Sequence, residues 1–309
     1  MIESQAALMR RELWEHRSIY ITPAVVALLV CLLSLTGQVS ISGIEHVDTG
    51  LIGLSNMPDN VRGAAISGIM IGMSVTFVIA LRVLTIFYSL DALYAERKDR
   101  SILFWRSMPC TDAETVLSKL LVALLVIPLV TFVVIVATHL VVLLINSAWL
   151  VARGANPWQL IWSVAPFFDN WTATLIFLLA SSAWLSPYMA WFLFVSAFAK
   201  RSPFLVAFLP IAVLPLFEKI LIGSSVLWEA FVIRAVNVLD MPLFTGLEHV
   251  KELVEDGEGY HELADANLSL LSFIDPGNFL SSPDMWAGLI VCALFTTAAI
   301  YVRRYRDDS

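Results

Sequence analysis

The chain has few cysteines and no recognisable metal motif. Cys31, Cys110 and Cys292 are the three cysteines in 309 residues, and their wide separation excludes the closely paired cysteines of zinc sites and argues against a disulfide framework. The five histidines form no His-Glu-x-x-His motif, because His261-Glu262 continues as Leu-Ala-Asp. We therefore expect no metal site and no catalytic residues.

A nucleotide-binding loop is also missing. An ATP-hydrolysing chain needs a Gly-x-x-x-x-Gly-Lys-Ser/Thr loop that wraps the phosphates and places a lysine on them. No such loop occurs in this sequence. We expect the chain to carry no cofactor, so that any nucleotide chemistry must come from a partner.

Charge is scarce, and this scarcity defines the class of protein. Only 15% of the residues are charged, 59% are hydrophobic and the mean hydropathy is +0.80, whereas soluble domains have about 25% charged residues. A membrane-spanning helix needs about 20 mostly apolar residues, because its backbone amides must be satisfied within the helix. The sequence predicts an all-α membrane protein, a single transmembrane domain over 1–309, with six spans near residues 19–39, 64–90, 115–145, 171–199, 203–222 and 284–302.

The distribution of Lys and Arg predicts the orientation of these spans. With the N-terminus in the cytoplasm, all but five of the 19 Lys and Arg residues lie on the inner side, as the positive-inside rule requires. Both termini are then cytoplasmic. The five residues on the outer side are Arg62, Arg153, Lys219, Arg234 and Lys251.

Residues 1–18 have the pattern of an amphipathic helix that lies in the membrane interface. Their apolar residues recur at helical spacing, and charged residues occupy much of the remaining surface. The alternative is a frayed polar tail. The apolar positions are Ile2, Ala6, Met9 and Leu13.

The charged loop between the second and third spans predicts a helix, a break and a new helix. Glu96 and Arg100 form a favourable i,i+4 pair on a short helix within residues 91–105. Pro109 ends that helix, and Thr111 and Glu114 then form a capping-box pattern before an apolar run. The alternative is a solvated loop whose charges only fix the topology.

The loop also resembles a known family. Its sequence Glu96-Arg97, Ser101-Ile-Leu, Ser107-Met-Pro109, Glu114 and Ser118-Lys119 is similar to the loop between spans two and three in permease subunits of ABC-2 type transporters. The motif covers about 25 residues, and the resemblance in architecture covers the whole chain.

In that family, this loop forms a coupling helix that seats in a groove of a cytoplasmic ATPase. The resemblance implies an export pathway built from two permease copies, in a homodimer or a heterodimer, with two ATPase subunits that bind ATP and Mg. It implies a bacterial inner membrane, lipid contacts and no nucleic acid. The residues to which it assigns the coupling role are Glu96, Arg97, Arg100, Phe104, Trp105 and Arg106.

The outer region over 223–283 is predicted to cap the membrane part. Residues 223–240 are apolar but carry Glu229 and Arg234, which favours a re-entrant or surface-lying helix over a seventh span. Residues 248–266 are acidic and are interpreted as a solvated helical face.

Ionisable residues within or near the spans are candidates for the transport pathway, because burying charge in hydrocarbon is costly. These candidates are His139, Glu218 and Lys219. Two other functions remain open. An inverted repeat would favour a carrier or channel without an ATPase. A cluster of His, Asp or Glu at one membrane face would favour a lipid-modifying enzyme. The sequence has neither signal.

Overall fold

The computed structural model describes residues 2–36, 58–99, 110–245 and 269–305. These residues are mainly helical, and among them the β-structure is a single antiparallel bridge between Phe244 and Ile274. The helices are α1 (Ile2–Glu15), α2 (Ser18–Leu35), α3 (Asp59–Asp91), α4 (Tyr94–Lys98), α5 (Asp112–Ala152), α6 (Phe167–Trp184), α7 (Ser186–Phe198), α8 (Pro203–Leu221), α9 (226–236), α10 (Pro276–Ser281) and α11 (Pro283–Tyr305).

Five of these helices are long and apolar enough to cross a membrane, namely α2, α3, α5, α8 and α11. The pair formed by α6 and α7 meets the same criterion when taken together, which gives a sixth candidate span. The prediction of a helical, multi-span membrane protein is therefore confirmed. At 41 residues, α5 is about 60 Å long, twice the ~30 Å of a bilayer core, so part of it extends beyond the apolar layer.

The predicted fourth span is broken rather than continuous. The axes of α6 and α7 differ by 52° in direction, and the break falls at Leu185. Pro187 occupies the first turn of α7, where its missing N–H costs nothing, whereas a continuous helix would lose a hydrogen bond and place the ring against the preceding turn. The proline explains why the chain changes direction here.

A π-helical turn, Val122–Val126, interrupts α5. Pro128 lies two residues after the end of this turn and has no N–H to donate to the carbonyl of Leu124. The wider π-helical turn accommodates the Pro128 ring without a clash against the preceding turn, which gives a physical reason for the π geometry at this point.

Helix α8 is one continuous helix despite its prolines. Pro203 lies in the first turn, and Pro210 and Pro215 lie within the helix. Only about a tenth of its most apolar stretch is buried inside the protein, so most of its apolar surface faces outward.

The bundle has two apolar cores. The larger core lies between α3, α5, α7 and α11 and includes the fully buried Phe77, Val116 and Leu193. The smaller core contains Met70 of α3, Leu150 of α5 and Ile161. Ile161 lies in a π-helical turn at Trp158–Trp162. Burial of these side chains in contact with one another fixes the helices side by side.

The predicted helix over 223–240 is present as α9, which combines Val226–Trp228, a π-helical turn at Glu229–Ile233 and Arg234–Val236. The Tyr188 hydroxyl donates to the Phe231 carbonyl oxygen at 2.7 Å and thereby ties α9 to α7. Whether α9 is re-entrant or lies on a membrane surface stays a prediction. The acidic segment 248–266 lies outside the described residues.

Candidate functional site

A buried lysine lies at the centre of the charged end of the bundle. Lys119 is fully buried, and its Nζ contacts Oε1 of Glu12 at 2.8 Å and Oε1 of Glu96 at 3.0 Å. The three residues come from α5, α1 and α4 respectively. A lysine is rarely buried this completely without partners, and here two carboxylates compensate its charge.

A second cation, Arg303 near the end of α11, completes the arrangement. Its Nη1 contacts Oε2 of Glu96 at 2.6 Å, and its Nε contacts Oδ1 of Asp112 at 3.0 Å. Arg11 adds a longer contact to Glu96, 3.4 Å from Nη2 to Oε1. We call these six residues, Arg11, Glu12, Glu96, Asp112, Lys119 and Arg303, the ion-pair cluster.

The cluster contains as many acidic as basic residues, three of each. Burying a single charge would be costly, but each charged group here has an opposite charge within hydrogen-bonding reach. Such a cluster contributes modest net stability when intact, yet removing one member exposes the others to the full cost of desolvation. Its members therefore depend on one another.

Local helix geometry explains how α5 supplies two residues of the ion-pair cluster, Asp112 and Lys119. The Thr111 side chain accepts from the Glu114 amide at 3.1 Å and the Glu114 carboxylate accepts from the Thr111 amide at 2.9 Å, so the predicted capping box is confirmed. The cap fixes the first turn of α5 at Asp112. Lys119 follows seven residues later, about two helical turns, and therefore lies on the same face.

Helix α1 contributes through its polar residues as well as its apolar ones. The Tyr88 hydroxyl donates to Oε2 of Glu12 at 3.0 Å, and the His16 and Tyr88 rings are nearly perpendicular with centroids 5.0 Å apart. Burial lowers the pKa of His16 below its usual value of 6.5, while the nearby Glu12 carboxylate partly opposes that shift. At neutral pH the imidazole is therefore uncharged.

The buried face of α1 differs from the predicted apolar stripe. Among residues 5–15, Leu8 and Glu12 are buried, whereas Ala6 is exposed and Met9 and Leu13 are half-buried; the side chain of Ile2 is outside the described part of the chain. A helix is present over Ile2–Glu15, and its position in the membrane interface stays a prediction. Its inward face is rotated because the ion pair from Glu12 to Lys119 turns a charged residue toward the core.

Two of the predicted coupling residues point into the protein. Glu96 is buried and pairs with Lys119 and Arg303. Its predicted partner Arg100 lies outside the described residues, so that pair stays a prediction. Its carboxylate is not available on the surface for a partner protein. The sequence-based coupling role of Glu96 stays a prediction, and the observed contacts favour a positioning role.

Arg97 also contacts its own chain. Its Nη2 donates to the carbonyl oxygens of Ser196 at 2.7 Å and Ala199 at 2.8 Å, at the C-terminal end of α7. A cation at this end of a helix satisfies carbonyls that lack partners within the helix and complements the helix dipole. The other four coupling residues, Arg100, Phe104, Trp105 and Arg106, lie outside the described residues.

The predicted pathway residue His139 is a packing residue in this structure. It is fully buried; its Nε2 lies 3.3 Å from the Ser74 hydroxyl, and its Nδ1 accepts from Trp171 Nε1 at 3.3 Å. These bonds join α3, α5 and α6. No role in a pathway follows from them, so that role stays a prediction.

Glu218 and Lys219 have different environments. The Glu218 carboxylate accepts from the Ser224 hydroxyl and, at 2.8 Å, from the Leu227 amide. It therefore caps the start of α9 and fixes the turn after α8. Lys219 is exposed at the same end of α8, and nothing in these contacts tests the predicted pathway role of either residue.

Sequence reasoning assigned only Glu96 of the ion-pair cluster as a site residue and missed the other five members: Arg11, Glu12, Asp112, Lys119 and Arg303. Arg303 in particular was counted only as a topology signal near the end of the last span. The seven-residue spacing of Asp112 and Lys119 was a usable signal, because it places two opposite charges on one face of a predicted helix.

Comparison with known proteins does not assign the chain to a family. No family model matches the chain, and neither a curated protein nor a solved structure matches it. Among the described residues, no group of three or more His, Cys, Asp or Glu side chains is arranged to hold a metal ion. What these residues define is a multi-span helical membrane protein with a buried ion-pair cluster at one end.

Proposed function

We propose that the chain is the membrane subunit of an ABC-2 type transporter. In this proposal, it forms an export pathway in the bacterial inner membrane with a second permease copy, and a separate cytoplasmic ATPase supplies ATP hydrolysis. The charged end of the bundle faces the cytoplasm. That orientation agrees with the excess of Lys and Arg predicted on that side.

The observation that carries the proposal is the joining of four separate segments by one cluster. Glu12 of α1, Glu96 of α4, Lys119 of α5 and Arg303 of α11 contact one another within about one hydrogen-bond length each. A displacement of the loop after α4 would thus be transmitted to the first helix, the third span and the last span together. A coupling element needs this property.

Within this proposal, the buried and exposed parts of the loop have different tasks. Glu96 and Arg97 hold the start of the loop against α5, α7 and α11. Lys98 and Asp99 are exposed at its surface and lead into residues 100–109. Contact with the ATPase is assigned to residues 98–106, with Arg100, Phe104 and Trp105 as the principal contacts and Arg106 beside them.

The proposal is tested by purifying the tagged chain from its native host in mild detergent and measuring what copurifies. We expect an ATPase subunit in equal amount to the permease. The variants Arg100→Glu and Trp105→Ala should lose that subunit while the permease remains folded, because both change the proposed contact residues and neither changes a residue of the ion-pair cluster.

Matched control variants lie at the opposite end of the bundle. Lys219→Glu reverses an exposed charge, and Trp158→Ala removes an aromatic side chain that is 67% exposed. Both should retain the ATPase subunit. A folded, homogeneous permease without any ATPase partner would overturn the proposal and favour an ATPase-independent carrier or channel, or a lipid-modifying enzyme.

A further inference from the structure

A groove opens on the bundle at the end opposite the ion-pair cluster. Its volume is about 740 Å³, and it lies between α7, α8, α9 and α11. This size falls in the range of about 300–1,000 Å³ that small-molecule sites occupy. Helix α9 forms one wall, and the first half of α11 forms the facing wall.

Aromatic side chains form the floor of the groove. Trp184, Tyr188, Trp191 and Phe295 all line it, and the rings of Trp191 and Phe295 meet edge to face with centroids 5.2 Å apart. The Trp191 Nε1 donates to the Ala207 carbonyl oxygen at 3.1 Å, so the indole is held in place. The faces and edges of fixed aromatic rings bind flat or bulky apolar groups well.

The charged groups around the groove are mostly acidic. Three carboxylates, those of Glu229, Asp240 and Asp284, line it together with one guanidinium, that of Arg234. Glu229, Asp240 and Asp284 are all exposed. The rim therefore carries a formal excess of negative charge, which attracts cations and repels anions.

Arg234 does not offer a site for an anion, because its nitrogens are already engaged. Nε and Nη2 donate to the Trp184 carbonyl oxygen at 3.2 and 3.1 Å, and Nη1 donates to the Asp284 carbonyl oxygen at 3.0 Å. The guanidinium also lies 3.9 Å from the centre of the Trp184 ring. Its role is to attach α9 to the break between α6 and α7.

We propose that this groove is a binding site for an amphipathic organic cation. The apolar part of such a ligand lies on Tyr188, Trp191 and Phe295, where a cation also gains from the negative faces of the rings. Its positive charge lies near Glu229 and Asp284. Binding here uses the chain alone and does not depend on an ATPase partner.

The test uses two probes of nearly the same shape and opposite charge, tetraphenylphosphonium and tetraphenylborate. The purified chain is placed in nanodiscs of zwitterionic lipid, and equilibrium binding is measured after subtraction of the signal from empty nanodiscs. We expect saturable binding of the phosphonium at least about tenfold tighter than that of the borate, because the rim carboxylates favour one sign of charge.

Four variants test whether the phosphonium binds in the groove. Glu229→Gln and Asp284→Asn should each weaken phosphonium binding by up to about fivefold, the effect of one partly exposed charge, and Ala287→Trp should abolish binding by filling the groove. Asp99→Asn, an exposed carboxylate at the opposite end, should leave binding unchanged. Equal binding of both probes, or phosphonium binding that Ala287→Trp leaves intact, would overturn the proposal.

Discussion

Lys119 and Glu12 form a buried ion pair across 107 positions of the chain, with 2.8 Å between Nζ and Oε1. Their relative exposures are 0% and 1%. This contact attaches the first helix of the chain to the start of the third apolar segment. It is also the part of the ion-pair cluster with the least access to water.

Lys119→Met should strongly destabilise the protein, because it leaves Glu12 and Glu96 buried without their shared cation. Breaking a buried pair in this way costs about 3–5 kcal/mol. The free energy of unfolding, measured by denaturation in detergent, should fall by that amount. Lys98→Met, which removes an exposed lysine of α4, should change it by less than about 0.5 kcal/mol. Equal effects of the two variants would contradict the assigned role of Lys119.

Gly288→Ala should disturb the attachment of α9. A Cβ at this position would lie 2.2 Å from Nη2 of Arg234, a separation no real contact adopts, so the guanidinium must leave the Trp184 ring. We expect a loss of about 1–3 kcal/mol and faster cleavage of α9 in limited proteolysis. The matched control is Gly68→Ala in α3, where nothing lies within 4 Å, and which should stabilise the helix by about 0.5–1 kcal/mol.

Thr111→Ala removes the side chain that caps α5. The capping box then loses its bond to the Glu114 amide, and such losses cost about 1 kcal/mol. Thr297→Ala is the control, since its exposed hydroxyl donates only to the Ala293 carbonyl within α11. We expect the midpoint of thermal unfolding to fall for the first variant and to stay nearly constant for the second. The reverse order would show that the cap does not set the start of α5.

His16 should make stability depend on pH. Its pKa in the folded protein lies below 6.5 because the ring is buried, so the unfolded chain takes up the proton first as the pH falls. The His16 contribution is therefore fully present above about pH 6.5 and is lost as the pH drops through the folded pKa. His16→Gln, which cannot gain this charge, should flatten the decline in unfolding free energy between about pH 7 and pH 5.5. An unchanged slope would contradict this.

The sequence was a good guide to what depends on composition and local spacing. The apolar segments became helices because no other structure satisfies their backbone in an apolar layer, and the Thr111 capping box formed because its two bonds are local. Glu96 shows where this reasoning stops. Its observed partners, Lys119 and Arg303, belong to helices that only the tertiary fold brings near. Local spacing pointed only to Arg100, which lies outside the described residues.

The break at Leu185 and the direction of Glu12 also depended on tertiary contacts. Pro187 is compatible with the start of a helix or with a bend within one. In the fold, Arg234 of α9 donates to the Trp184 carbonyl oxygen beside the bend. For Glu12, amphipathic spacing places a charged residue on the outside. Lys119, a buried lysine on another helix, reverses that expectation. No local sequence pattern indicates such a partner.

The ion-pair cluster includes Glu12 near the start of the chain and Arg303 near its end. During synthesis, Glu12, Glu96 and Asp112 emerge long before Arg303, so the cluster has a surplus of negative charge until the final helix is inserted. A chain truncated before α11 would keep that surplus at the same place. Insertion of α11 is thus the step that supplies the cation for Glu96 and Asp112 and brings the cluster to equal numbers of acidic and basic residues.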